Sequence, residues 1–473
     1  MHPVRVAATT FSAAIWRLSA ADCAATISPV DSKRIAQVSP VATLLVVVAV
    51  YIVVGALYAV YTPLWQVPDE PAHYNYIRSL ATSHGLPVLE PGDYDQALLS
   101  DLTSLGFPSE FSIDPLEYED HQPPLYYLLA APVYRLFQGA VLPLRLFSVV
   151  LGAGLLLAAY LAVQTVFPDR PELALRTVAF IAFIPQHVAM MAGINNDALG
   201  ELVVALILWA AAAYVVRRYD RPWFIGILLG IALVSKTTAY PPLAAIFFAA
   251  ALRWRIERRK VSWLLAQAGW LLVPAVVISA PWFIRNGITY GWSDPFGLVR
   301  HDMVVVGQPR SYDWLTMYGW GGLLSRLGQT TFHSFWGQFG WMGVVLPSRI
   351  YQLLALISVG LSVGFVWWLF DSRRQRLLRE QKICLGVFLA AGTLTVAAYI
   401  WYNFGFVQHQ GRYLFPALVP LGLAVALSAD QWIALLRRLI RPRVRASAFA
   451  VLAILALFDL YCLYRFIVPA LTR

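Results

Sequence analysis

Charge is scarce in this chain. Asp, Glu, Lys and Arg make up 13% of its 473 residues. Soluble domains carry roughly a quarter, so that class is excluded. Cysteine is scarcer still: Cys23, Cys384 and Cys462 lie far apart, with no CxxC pair and no histidine at ligand spacing. Neither a disulfide framework nor a zinc site is expected. No internal repeat is visible, inverted or parallel, which speaks against the related halves common among transporters. The first 40 residues lack a short apolar core followed by a cleavage site, so they read as a cytoplasmic tail.

What the chain does have is apolar length. Hydrophobic residues make up 59% and the mean hydropathy is +0.62. Apolar runs of about 18 residues or more recur, each able to cross roughly 30 Å of hydrocarbon. Spans are predicted at about 41–61, 143–167, 173–191, 198–216, 262–283, 351–370, 383–402, 413–435 and 446–467. The stretch 222–252 is long for one crossing and short for two. Arg217, Arg218 and Arg221 precede it, and Arg253, Arg255, Arg258, Arg259 and Lys260 follow. Both ends therefore belong on the cytoplasmic side, and the stretch is a hairpin of two short helices turning at 236–242, where Pro241 and Pro242 cannot continue a helix.

The expected fold is all-α, a polytopic membrane bundle of about 11 spans over 41–473, with the N-terminus cytoplasmic and the C-terminus outside. The net charge of +10 sits in short clusters between spans, at 217–221, 253–260, 373–382 and 437–445. That is the positive-inside bias and no footprint of nucleic acid. Two long segments, 62–142 and 284–350, are left outside.

The first of them is acidic. Asp69, Glu70, Glu90, Asp93, Asp95, Asp101, Glu110, Asp114, Glu117, Glu119 and Asp120 are 11 of the chain's 26 carboxylates. The sharpest motif is Pro68-Asp69-Glu70-Pro71-Ala72-His73-Tyr74, a few residues past the first span. An acid followed by proline reads as a helix cap. One carboxylate suffices for a cap, however. Two adjacent ones, with His73 four residues after Asp69 on the same helical face, point to Asp69 and Glu70 as catalytic and His73 as substrate-binding. A hard cation wants more oxygen ligands than this motif supplies, so no metal ligands are assigned and a divalent cation stays open as a cofactor.

Further candidates lie in the same segment and beyond it. His121-Gln122-Pro123-Pro124-Leu125-Tyr126-Tyr127 puts His121 at the water boundary, for substrate or as a plain polar residue, ahead of an interfacial helix. Asn195-Asn196-Asp197 marks the turn between the third and fourth spans. Asn196 and Asp197 are substrate candidates there, with a helix cap as the alternative.

Cations outside the membrane are few. Lys236 tips the short hairpin and Arg285 ends the seventh span. Arg412 opens the tenth within Gln408-His409-Gln410-Gly411-Arg412-Tyr413, which also offers His409 and Tyr413. A hairpin too short to span sinks its tip into protein, where a cation needs an anion, and a phosphate is a natural one. Snorkelling to lipid head groups competes, above all for Arg285. In Phe335-Trp336-Gly337-Gln338-Phe339-Gly340-Trp341, Trp336 either stacks on a sugar face or anchors the loop in the interface.

Taken together these residues resemble the GT-C class of integral-membrane glycosyltransferases. The Asp69-Glu70 pair is similar to the acidic motif that class carries after its first span, as in protein O-mannosyltransferases and the aminoarabinose transferase. A closer likeness is to an uncharacterised bacterial multi-span family grouped with them. It is carried by Pro68 to His73, His121 to Tyr126, Asn195 to Asp197, Phe335 to Trp341 and Gln410-Gly411-Arg412-Tyr413-Leu414-Phe415-Pro416, and covers about residue 41 to the C-terminus. The resemblance implies a polyprenyl phosphate sugar donor and a glycan, lipid or protein acceptor. Transfer would occur at the outer face of the bacterial cytoplasmic membrane, among membrane lipid, with inversion at the anomeric carbon. One carboxylate base on the acceptor and cations on the departing phosphate would suffice. The rival readings are a transporter or flippase, a polymerase or ligase using pyrophosphate-linked glycans, and a structural membrane subunit.

Overall fold

In hydrocarbon a backbone must satisfy its own polar groups, and the apolar runs do so as helices. The computed structural model describes residues 39–82, 85–372, 377–439 and 448–472. Eight helices are long and apolar enough to cross a membrane: Pro40–Tyr61, Val141–Val166, Asp197–Val216, Val261–Tyr290, Ser348–Asp371, Arg379–Gly405, Gly411–Leu439 and Val451–Leu471. The tail read at residues 1–40 lies almost wholly outside the described residues, as do 373–376 and 440–447 of the basic clusters.

The run at 173–191 is not one straight helix. It splits into Pro171–Ala182 and Pro185–Met191, bent by 70°, and counts as a ninth crossing if the pair is one span. Pro185 lacks a backbone donor and ends the first half. The Ile181 carbonyl accepts instead from His187 Nδ1 at 3.0 Å. The 222–252 stretch is the expected hairpin, with Trp223–Leu233 and Ala245–Ile256 joined through Thr237–Ala239 and Tyr240–Leu243. At 1.5 Å per residue its arms are roughly 16 to 18 Å long, about half a bilayer. Counting both arms gives the expected total of about 11.

The core forms around Asp197–Val216. Its most apolar window is 78% buried, against 17% for Val261–Tyr290, so the first is a central helix and the second a peripheral one. Ala210 to Ala213 on that helix, and Ala158, Ala159 and Ala162 on Val141–Val166, are buried. Small side chains there let the backbones approach closely.

The two long segments 62–142 and 284–350 carry further helices. The first carries Glu70–Ala81, Gln96–Leu105 and Leu125–Leu136. The last of these buries Tyr126, Tyr127, Ala130 and Ala131 and exposes Leu128, Leu129 and Leu136, the pattern of an interfacial helix. The second carries Leu298–Val304, Ser311–Trp336 and a two-stranded hairpin in which Gln338 pairs with Val345 and Phe339 with Val344. At the hairpin's tip the Trp341 indole donates to the Trp65 carbonyl at 2.9 Å. That bond pins the loop leading into Asp69.

Candidate active site

Asp69 sits between that loop and the helix Glu70–Ala81. Its backbone is left-handed, with φ 68° and ψ −3°, and its side chain makes no cap bond. Aspartate is among the few residues besides glycine that tolerate this conformation. The capping reading therefore fails for its carboxylate. Oδ2 accepts from Arg412 Nη2 at 2.6 Å, and Oδ1 accepts from the Tyr118 hydroxyl at 3.1 Å. Gly411 makes the approach of Arg412 feasible: a Cβ there would lie 2.4 Å from the Phe335 nitrogen and 2.5 Å from the Thr331 carbonyl oxygen. Its N–H donates to Ser334 Oγ at 2.7 Å. The Tyr413 ring lies 5.4 Å from the Arg412 guanidinium and flanks it.

A second ion pair lies in the same network. Lys236 Nζ is 2.8 Å from Asp197 Oδ1 and donates to Asn196 Oδ1 at 2.5 Å. Its stem crosses Gly200, where a Cβ would lie 3.1 Å from the Lys236 Cβ. The helix start is capped by the neighbouring residue: Asn195 Oδ1 accepts from the Asp197 N–H at 2.8 Å. Asn196 and Asp197 are thereby left for Lys236. Asn196 Nδ2 also donates to the Tyr127 hydroxyl oxygen at 3.2 Å, and that hydroxyl lies 2.9 Å from His73 Nδ1.

Electrostatics follow from burial and from these charges. Burial, and after it Lys236, pushes His73 down to about 3, so it is neutral at pH 7. Which of Nδ1 and the Tyr127 hydroxyl donates is set by the tautomer of the neutral ring. For Asp69, burial alone would raise the carboxyl, but Arg412, His73 and Lys236 outweigh it and hold Asp69 below the ordinary carboxylate range. Burial and the Asp69 charge push neighbouring Glu119 up to about 7, against the pull of Lys236 and Arg412. Its Oε2 is buried with no hydrogen-bond partner among the described residues. Burial, Glu117 and Asp93 raise Asp120 to about 9. The acidic segment is accordingly less negative than its composition suggests.

The other sequence candidates separate from this network. Glu70, read as the second catalytic carboxylate, turns inward. The Arg145 guanidinium grips it from Nε to Oε1 at 2.7 Å and from Nη2 to Oε2 at 2.6 Å. Arg145 also donates to the carbonyls of Ala59, Thr62 and Pro63. Glu70 further accepts from the Trp65 and Ile194 N–H groups. It is a fully buried knot that joins the first span, the Asp69 loop and the turn before Asp197. Arg285 donates to the Leu86 and Pro87 carbonyls and lies against Trp282 and Tyr290, a loop clamp and not a substrate cation. Trp336 is partly buried and packs edge-on against Phe180 and Phe335. His409 is buried edge-on to Trp314. His121 lies beside His301 with ring centroids 4.5 Å apart, and burial keeps it well below its ordinary value.

Sequence reasoning missed Arg145, Tyr118, Glu119 and Tyr127. Arg145 had a signal, since an arginine inside an apolar run needs a carboxylate. It also missed a buried pair one turn below Asp197, in which His187 Nε2 lies 3.0 Å from Glu201 Oε2. Among the described residues no three His, Cys, Asp or Glu side chains form a group that could hold a metal ion.

Residues 121–282 match the family described as dolichyl-phosphate-mannose-protein mannosyltransferase. No curated protein matches the chain. Among solved structures it is similar to ArnT from Cupriavidus metallidurans bound to undecaprenyl phosphate, at 15% identity over 90% of this chain and 73% of that one, with a TM-score of 0.48. It is also similar to the archaeal oligosaccharyltransferase AglB from Archaeoglobus fulgidus, in complex with an inhibitory peptide and a dolichol-phosphate. There the identity is 13%, over 91% of this chain and 56% of that one, with a TM-score of 0.45. The family match covers about a third of the chain: residues 121–282 are similar to that family, within a fold whose described residues include eight helices long and apolar enough to cross a membrane.

Proposed function

We propose that this protein is a membrane glycosyltransferase of the GT-C class that moves a monosaccharide from a polyprenyl phosphate to an acceptor hydroxyl at the external face of the bacterial cytoplasmic membrane. The observation that carries the reading is the Asp69–Arg412 contact at 2.6 Å beside the Lys236–Asp197 pair at 2.8 Å. A base and two cations from three distant parts of the chain lie within electrostatic reach of one another. The elements holding them end or begin away from the basic clusters at 217–221 and 253–260, and the positive-inside bias puts that side outside. The name of the matched family, with its dolichyl phosphate donor, favours a lipid phosphate sugar.

The chemistry is one displacement. Asp69 takes the acceptor proton as the acceptor oxygen bonds to the anomeric carbon. The bond from that carbon to the phosphate oxygen breaks, and its electron pair leaves with the phosphate, whose charge Arg412 and Lys236 meet. A phosphate departs without a proton, so the second carboxylate that a glycosidase needs is not required. A single displacement inverts the anomeric carbon. The test is incubation of the purified protein with a panel of radiolabelled polyprenyl phosphate sugars. Consumption of one supports the reading. Consumption of a pyrophosphate-linked glycan alone would replace it with the polymerase or ligase reading.

A further inference from the structure

We infer that the donor phosphate switches the base on: it takes Arg412 from Asp69, and Tyr118 then holds the freed carboxylate toward the acceptor. This rests on the lipid phosphate donor proposed above. In the structure both cations already have counter-charges, Arg412 in Asp69 and Lys236 in Asp197. An arriving phosphate must therefore displace a carboxylate or stay outside the network.

The two pairs are not equally fixed. Lys236 has two partners, Asp197 and Asn196, and its stem lies across Gly200. Asp197 belongs to a long central helix, with its own N–H tied to Asn195. Asp69 stands on a single left-handed residue between loop and helix, and its carboxylate has only Arg412 and Tyr118 as hydrogen-bond partners among the described residues. Arg412 has capacity to spare. Among the described residues its Nε is buried without a hydrogen-bond partner and the guanidinium donates one hydrogen bond, to Asp69, where its fork can donate two to a phosphate. Exchange of Asp69 for phosphate completes the fork.

The exchange also sets the order of events. A carboxylate bound to a guanidinium is a weak base, and Arg412 is the strongest of the neighbours that hold Asp69 low. Once Arg412 turns to the phosphate, Asp69 regains proton affinity when a donor is present and not before. Tyr118 does not leave with Arg412, because it binds the other oxygen. Burial keeps its hydroxyl protonated, and its ring is braced edge-on against Tyr94 at 5.5 Å. The charged and titratable groups that act on Asp69 are Arg412, His73, Lys236, Glu119 and His301, with the hydroxyls of Tyr118, Tyr94, Tyr402 and Tyr413. Tyr118 is thus a positioning residue for the base.

The experiment measures binding of undecaprenyl phosphate to the purified full chain and to its Asp69→Asn and Tyr118→Phe variants, alongside the pH profiles of transfer. Asp69→Asn should bind the lipid phosphate more tightly, by roughly tenfold, because the competing anion is gone. Tyr118→Phe should bind it unchanged while kcat falls about tenfold and the acidic limb of kcat moves up by roughly one pH unit, as the carboxylate loses a donor. In the unaltered chain the acidic limb of kcat should lie above that of kcat/KM, since the two report the donor complex and the free enzyme. Equal or weaker binding by Asp69→Asn, with transfer by the unaltered chain intact, overturns the exchange alone. So does a Tyr118→Phe variant whose kcat limb stays in place. Absence of binding by any of the three proteins withdraws the donor reading and this inference together.

Discussion

Asp69 and Arg412 stand 343 positions apart and meet at 2.6 Å. Arginine is suited to this place because its planar fork can serve a carboxylate at rest and a phosphate at work, which an ammonium cannot match in geometry. Arg412→Lys should therefore lower kcat/KM for the donor by about 10- to 100-fold although the charge is kept. Arg412→Ala should be worse than Arg285→Ala, since Arg285 spends its donors on the Leu86 and Pro87 carbonyls. Steady-state kinetics on the three variants check the order.

Glu70 and Arg145 are predicted to matter for folding more than for chemistry. Both are essentially unexposed, and breaking such a pair strands a buried charge at a cost of about 3–5 kcal/mol. Glu70→Gln and Arg145→Ala should lower the melting temperature or the yield of monodisperse protein. Any Glu70→Gln molecules that do fold should retain measurable transfer. Thermal unfolding in detergent, with transfer assayed on the folded fraction, makes the comparison.

The spans were legible because hydropathy and the positive-inside bias act on whole segments, and lipid leaves a backbone few choices. The 70° bend at Pro185 was not read from the sequence, because the continuous apolar run at 173–191 hides the break that the proline makes. Lys236 and Arg412 stood out as cations with no acidic residue nearby in their own helices. Their partners did not stand out, because Asp197 and Asp69 reach them only through tertiary packing. Glu70 was misread because adjacency in sequence suggested adjacency in space. The left-handed turn at Asp69 sends the two carboxylates apart, one to Arg412 and one to Arg145. The contacts of Arg285 and Trp336 were hidden for a related reason: hydrogen-bond donors and aromatic faces near a boundary are often used by the protein itself.

Glu119 gives the donor site a pH dependence. Its carboxyl titrates at about 7, so it is neutral below that value and negative above it. The added charge lies beside the cations that meet the phosphate and opposes a second anion. The donor's KM should rise severalfold between about pH 6 and pH 8, where the donor phosphodiester itself does not titrate. Glu119→Gln should flatten that rise. A slope that persists unchanged in Glu119→Gln would assign it to another group.

The central claim is that Asp69 is the base. It is tested most directly by single-turnover transfer with Asp69→Asn, using whichever polyprenyl phosphate sugar the unaltered protein consumes. Loss of a general base typically costs about 10² to 10⁴ in rate. The variant should lose transfer on that scale while keeping its helical content and binding undecaprenyl phosphate more tightly than the unaltered protein. Transfer at close to the normal rate would contradict the account and leave Asp69 as no more than the resting counter-charge of Arg412.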